Sequence, residues 1–259
     1  MIHFKASIIY MLAAVGLDNI ARQAKWTAGI ELRRAKRAIS ARILWQWKPL
    51  VPEDDFTACA RNAIQTLKRL SPDQSFGDYL EFGVSRGTSL ACMFHALEKE
   101  GLSNLRLIGF DSFEGLPPEA AEAGDKNWEP GAYKSTLTAT RRYLQSKNVD
   151  ERRVTLIKGW FKDTLTPTTK ETHNIDKASL IMIDCDIYSA SRDALLFSAS
   201  AIKDHAVIFF DDWGWRSDIG EIGQKEAFEE FLTAFPQLRA EPLPAYLPQA
   251  RVFLVTRQS

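Results

Sequence analysis

The chain has 259 residues, 45% of them hydrophobic and 25% charged, and its basic and acidic side chains balance to a formal net charge of zero. That length can bury a substantial core, and the composition is that of a globular protein rather than a disordered or membrane-embedded one. Zero net charge gives no electrostatic reason for nucleic-acid binding. Three scattered cysteines, Cys59, Cys92 and Cys185, form neither a disulfide framework nor a zinc cluster, which points to a reducing, cytoplasmic setting.

Charge is unevenly spread. Residues 1–50 carry nine lysines and arginines against Asp18 and Glu31, together with Trp26, Trp45 and Trp47. This segment reads as a basic N-terminal helical extension, and 51–259 as the main domain. Its apolar run Ile8–Leu17 is ten residues long, too short to span a bilayer, and the following DNIARQAKW lacks a small-residue cleavage site. A docked helix fits it better than a secretory leader. The basic face is either solvated and packed near the acidic remainder, or drawn to an anionic surface or substrate such as a membrane leaflet, a lipid-linked saccharide or a nucleotide sugar.

A helix is expected from Glu53, because acids fill its first turn, apolar residues recur at helical spacing, and Lys68 and Arg69 stand at its end, complementing the helix dipole. Short apolar runs then alternate with amphipathic ones. Strands are expected over 77–83, 105–111, 153–159, 180–186 and 206–212, with helices over 88–100, 136–147, 190–203 and 223–234. Such alternation is the pattern of a parallel α/β sheet covered on both faces. The ending AEPLPAYLPQARVFLVTR reads instead as two strands joined near Pro248, an antiparallel pair closing one edge.

Ligands of such sheets sit beyond the carboxyl ends of the strands. The first strand runs into EFGVSRGTSL, Glu81 to Leu90, where Gly83 and Gly87 would permit a sharp turn and close approach of a ligand or helix. The glycine spacing is not that of a dinucleotide fingerprint, and the acid before it suits a cationic group better than a pyrophosphate. The turn reads equally as a purely structural strand-to-helix connection. Asp111, ending the second strand, stands where a carboxylate accepts ribose hydroxyls, or it is an ordinary loop acid.

The runs SLIMIDCD and HAVIFFDD each finish in acids, Asp184 and Asp186 in one and Asp211 and Asp212 in the other. A buried carboxylate is costly unless paired or bound to a metal, so the two strand ends point to a common purpose. The other reading has Asp211 and Asp212 capping the next helix and pairing with Arg216 or Lys225. Cys185 reads as a packed side chain and His205 as a polar strand-start residue away from the ligand end. Trp213 and Trp215 are candidates for a stacking wall or an apolar lid, and Glu122 to Thr136 for a loop over the ligand.

Taken in order, YLEFGVSRGTS, IGFDSFEGLP, KGWFKDTL, IDCDIYSASRDAL and FDDWGW with GQKEAFEEF resemble the macrocin O-methyltransferase family over about 75–235. The family's members are S-adenosylmethionine-dependent enzymes that methylate sugar hydroxyls of natural products. The resemblance implies a Rossmann-like class I methyltransferase fold, a mostly parallel seven-stranded sheet whose last strand is antiparallel. It places Glu81, Gly83, Ser85, Thr88 and Ser89 near the methionine end of the donor, Asp111 and Ser112 at the ribose, Gly159 and Trp160 beside the adenine, and Asp186 at the donor's amino group or in support of the turn; Trp160 and Phe161 read equally as core aromatics. It further implies a magnesium ion held by Asp184, Asp211 and Asp212, with Asp184 as general base, and a homodimer. A dication so placed would make a sugar hydroxyl easier to deprotonate and fix its direction.

The expected function is magnesium-dependent O-methylation of a saccharide or glycosylated small molecule. Two other readings are a nicotinamide-type nucleotide-binding oxidoreductase and a non-catalytic S-adenosylmethionine-binding scaffold. Removal of residues 1–50 is expected to leave donor binding intact while changing acceptor use or assembly. Unchanged steady-state kinetics and an unchanged sedimentation profile would deny the segment either role.

Overall fold

The computed structural model describes residues 49–71, 75–123, 128–213 and 223–258. The expected extension, as far as Lys48, and Trp215 and Arg216 lie outside the described residues. All the described elements belong to the unit that begins at Leu50.

Helix α1, Glu53–Leu70, has Glu53, Asp54 and Asp55 in its first turn and Lys68 and Arg69 in its last, and buries one stripe through Phe56, Ala60, Ala63, Ile64 and Leu67. The remaining helices are α2 (Thr88–Lys99), α3 (Leu137–Ser146), α4 (Phe161–Thr164), α5 (Pro167–His173), α6 (Tyr188–Ser198) and α7 (Gln224–Ala234). Neither short helix, α4 nor α5, was expected from sequence periodicity, since neither is long enough to show it. Helix α5 is set instead by local chemistry: the Thr166 hydroxyl accepts from Thr169 N–H, and Pro167 occupies a first-turn position where no N–H is needed.

Seven strands, β1 (Asp78–Phe82), β2 (Leu107–Asp111), β3 (Val154–Lys158), β4 (Ala178–Ile183), β5 (His205–Phe210), β6 (Leu238–Leu243) and β7 (Arg251–Arg257), form one sheet in the order β3-β2-β1-β4-β5-β7-β6. The first five are parallel, and β7 runs antiparallel to both β5 and β6. The fold is therefore the expected α/β sheet with its last strand reversed. The edge strand β6 carries Pro242, tolerable where one side has no partner.

Alternation along the strands divides the core in two. Leu180, Met182, Val207 and Phe209 face α1 and α2, while Ile181, Ile183, Ile208 and Phe210 face α6 and α7. Each large apolar side chain so buried is worth about 1.5–3 kcal/mol, which makes these central strands the main anchor of the sheet. Strand β4 stops at Ile183, three residues before the end expected for it, and Asp186 takes a positive φ of 61° that a strand cannot continue through.

Strand order reverses on either side of β1, so its carboxyl end opens a crevice between β1 and β4. Gly83 sits in it with φ 92°, and a Cβ there would lie 1.6 Å from the Asp184 carbonyl oxygen. The Gly83 N–H donates to Phe110 O at 2.9 Å and the Asp184 N–H to Phe82 O at 2.9 Å, so neither strand end can retreat cheaply. Gly83→Ala is expected to cost about 3 kcal/mol or more in urea unfolding, from strain plus overpacking. The control is Gly101→Ala, where φ is 72° but nothing lies within 4 Å. Equal losses at the two positions would show that backbone conformation, not the contact with Asp184, sets the cost.

Candidate functional site

A cleft of about 540 Å³ opens over the carboxyl ends of β1, β2, β4 and β5. On one side the turn after β1 is pinned by Asp111, whose Oδ2 accepts Ser85 N–H at 2.7 Å and whose Oδ1 accepts Phe113 N–H at 2.5 Å. One carboxylate thus braces two loops. Burial pushes its pKa up, and these backbone donors partly offset the rise. The Ser112 hydroxyl donates to Gly115 O at 3.0 Å, and Gly159 N–H donates to Asp111 O at 3.0 Å, which carries the chain after β3 to the same rim.

Part of the expected loop folds over this rim. The Ser85 hydroxyl donates to Tyr133 O at 2.7 Å, and Leu116 and Ala132 are joined by a backbone bond of 3.0 Å. Trp128 is buried with Leu116, Ala120 and Ile187 in a small separate apolar cluster. Its side chain hydrogen-bonds Asp186, whose pKa is pushed up to about 7, chiefly by burial and then by the charge of Asp211.

At the other end, Asp184, Asp211 and Asp212 each bring one ligand oxygen to within 4.8 Å of the others. Burial is the largest cause raising all three pKa values, and the charges acting on Asp184 are all negative, from Asp211, Asp212, Asp186 and Glu81. Asp212 Oδ2 is buried with no hydrogen-bond partner among the described residues. Three hard oxygen donors, mutual repulsion and an unsatisfied buried oxygen fit a divalent cation such as magnesium. Gln224 and Tyr246 hold the cluster in place. Gln224 accepts Asp212 N–H at 3.0 Å and donates to Ile183 O at 3.1 Å, while the Tyr246 hydroxyl donates to Asp211 Oδ1 at 2.5 Å.

Gly83, Ser85, Asp111, Ser112, Gly159, Trp160, Asp184, Asp186, Asp211 and Asp212 all line the one cleft. Glu81, Thr88 and Ser89 do not. They lie behind its wall, where Glu81 is 0% exposed, accepts from Tyr79 Oη and accepts from Ser89 Oγ at 2.8 Å. Among the described residues, the next helix, α7, starts from Gly223 rather than from Asp211 or Asp212, and Lys225 pairs with Glu229 at 3.9 Å; Arg216, the other partner considered, lies outside them. Trp213 is not a wall of the cleft either: it packs with Phe210, Phe228 and Phe253 at centroid distances of 5.1, 5.8 and 5.0 Å. His205 bonds Thr256 at 2.9 Å at the start of β5, and Cys185 is buried 3.6 Å from the Ser191 hydroxyl, both as expected.

Sequence reasoning missed Tyr246, Gln224 and Trp128. Gln224 lies within a quoted motif, but nothing local marks it as a brace. Tyr246 lies in a proline-rich connection that reads as a turn. Trp128 stands in a polar loop whose sequence marks no one residue above the others.

A sequence model of the macrocin-O-methyltransferase (TylF) family matches residues 56–232. Demethyldecarbamoylnovobiocin O-methyltransferase of Streptomyces niveus is 29% identical over 143 residues, covering 53% of each chain. The 8-demethyl-8-(2,3-dimethoxy-alpha-L-rhamnosyl)-tetracenomycin-C 4'-O-methyltransferase of Streptomyces olivaceus is 29% identical over 145 residues, again 53% of each. The match thus spans about half the length of these curated relatives. Among solved structures, the O-methyltransferase NovP superposes with a TM-score of 0.62 at 21% identity, covering 80% of this chain and 79% of that one. The calicheamicin methyltransferase CalS11 gives 0.57 at 20%, covering 74% and 77%. At such identities the structures speak for the fold. No helix among the described residues is long and apolar enough to cross a membrane.

Burial pushes the Glu81 carboxyl up to about 8 from an ordinary 4.5, against the opposing pull of the Tyr79 and Ser89 hydroxyls. The folded state therefore holds this proton more tightly than the unfolded chain. Its contribution to stability is full below about pH 4.5 and is lost as pH rises through about 8. Glu81→Gln, which cannot titrate, is expected to flatten the fall in urea midpoint across that window. An unchanged slope would mean that Glu81 does not govern it.

Proposed function

This chain belongs to the macrocin O-methyltransferase family, and from that premise we propose that it moves a methyl group from S-adenosylmethionine to a hydroxyl of a saccharide or glycosylated metabolite, with magnesium at its aspartate cluster. The observation that carries the proposal is the meeting of Asp184, Asp211 and Asp212 within 4.8 Å, in the same cleft as the Gly83 turn and Asp111. The tetracenomycin relative is named for a reaction on a rhamnosyl group, which supports a sugar hydroxyl as acceptor.

S-adenosylmethionine would supply an electrophilic methyl together with its own leaving group, leaving the protein to align, deprotonate and exclude water. Asp111 and Ser112 would receive the ribose, Gly83 and Ser85 would leave room at the methionine end, Gly159 and Trp160 would border the adenine, and Asp186, held by Trp128, would face the donor's amino group. Magnesium, held by Asp184, Asp211 and Asp212, would acidify the acceptor hydroxyl and offset the crowded negative charge. Asp184 would accept the hydroxyl proton on a carboxylate oxygen as the new oxygen–carbon bond forms. Burial first, and then the neighbouring carboxylates, raise its proton affinity in the metal-free chain, and a bound cation would offset that rise and keep it ionised, ready to take the proton. The segment from Trp128 to Tyr133 would shield the reacting atoms from solvent.

Titration calorimetry with S-adenosylmethionine, with magnesium and then with a chelator, tests the donor and metal assignments. Nicotinamide cofactors serve as controls. Asp184→Asn is expected to lower methyl transfer by about 10²–10⁴-fold while donor affinity stays within a few-fold. Asp111→Ala is expected to weaken donor binding first. Full transfer activity in Asp184→Asn would remove the base assignment. Donor binding without transfer to any saccharide in the presence of magnesium would favour the scaffold reading.

A further inference from the structure

We propose that Tyr246 is a positioning residue for the cation: its hydroxyl restrains Asp211 to ligation through one oxygen and so favours magnesium over calcium. This rests on the reading of Asp184, Asp211 and Asp212 as a divalent-cation site. Tyr246 is 7% exposed and belongs to the connection between β6 and β7, far in sequence from the acids. Its hydroxyl donates to Asp211 Oδ1 at 2.5 Å, while the Asp211 backbone N–H reaches Ile183 O at 3.3 Å. Among the described residues, Asp211 is the one member of the trio whose carboxylate receives a side-chain donor.

The phenol cannot follow a carboxylate that swings away. Its ring packs edge-on against Phe56 at 4.8 Å, Phe56 lies 5.8 Å from Phe209, and Cys59 Sγ meets Pro244 O at 3.3 Å, tying the connection to α1. Bidentate ligation by Asp211 would have to share or break the bond at Oδ1, whereas monodentate ligation leaves it intact. Magnesium takes six ligands in a near-ideal octahedron, and calcium takes six to eight and readily accepts both oxygens of a carboxylate. The hydrogen bond therefore works against the larger ion.

The test is calorimetric titration of the full chain and of Tyr246→Phe with magnesium chloride and with calcium chloride, alongside thermal melts in chelator. The variant keeps the ring and its contact with Phe56. Magnesium affinity is expected to fall by about 10–100-fold, the usual effect of losing a residue that orients a metal ligand. Calcium affinity is expected to fall much less, so the preference narrows. Phe56→Leu, which loosens the seat of the ring, should move the two affinities in the same sense. Equal losses for both ions, or unchanged magnesium affinity with only a lower melting temperature, would overturn the proposal and leave Tyr246 a packing role. A wild-type protein that binds neither ion would overturn the cation site itself, and this inference with it.

Discussion

Negative charge is crowded where β4 and β5 run out. Asp184, Asp211 and Asp212 converge there with Asp186 close by, all partly buried, and burial is the leading cause raising each pKa. Such a cluster opposes its own folding unless protons or a cation relieve it. Much of the surrounding construction is the means of holding it together. Backbone bonds fix the first residue after each strand, Gln224 braces Asp212, and Tyr246 braces Asp211. The central strands bring apolar anchors on both faces just below the acids, so the scaffold is stiffest where the repulsion is greatest.

The opposite end of the cleft is organised by a different economy. There a single carboxylate, Asp111, ties the turn after β1 to the loop after β2, while its own backbone carbonyl receives the chain leaving β3. Trp128 and Asp186 join the two ends, because the tryptophan belongs to the folded-over segment and the aspartate to the acidic one. Order in that segment and the geometry of the acids are therefore linked through one side-chain contact.

Much of this is legible in the amino-acid sequence. Apolar runs ending in acids mark β4 and β5, the charges of α1 mark both of its ends, and the changed rhythm from Ala240 marks the antiparallel pair. The part that stayed hidden depends on partners distant in the chain. Trp213 follows an acid pair and reads as a site residue, yet Phe228 and Phe253, contributed by α7 and β7, draw it into the core. Tyr246 reads as a turn residue because its partner Asp211 is 35 positions away. Glu81 carried a usable signal: strand parity sets it on the same face as Tyr79, toward α2, so it points away from a ligand beyond the strand's end.

The position of β7 between β5 and β6 bears on how the protein is made. Strands β1 to β5 can assemble as the chain emerges, but one edge of β5, with the fully buried run Ala206–Phe210, stays open until Arg251–Arg257 has been synthesised. A ribosome paused between these two segments would present an unpaired, strongly apolar strand edge to its neighbours on the same message, the kind of surface on which nascent chains coalesce. The cell's capacity to keep that edge covered during translation, rather than the stability of the finished sheet, would then set how much of this protein it can accumulate.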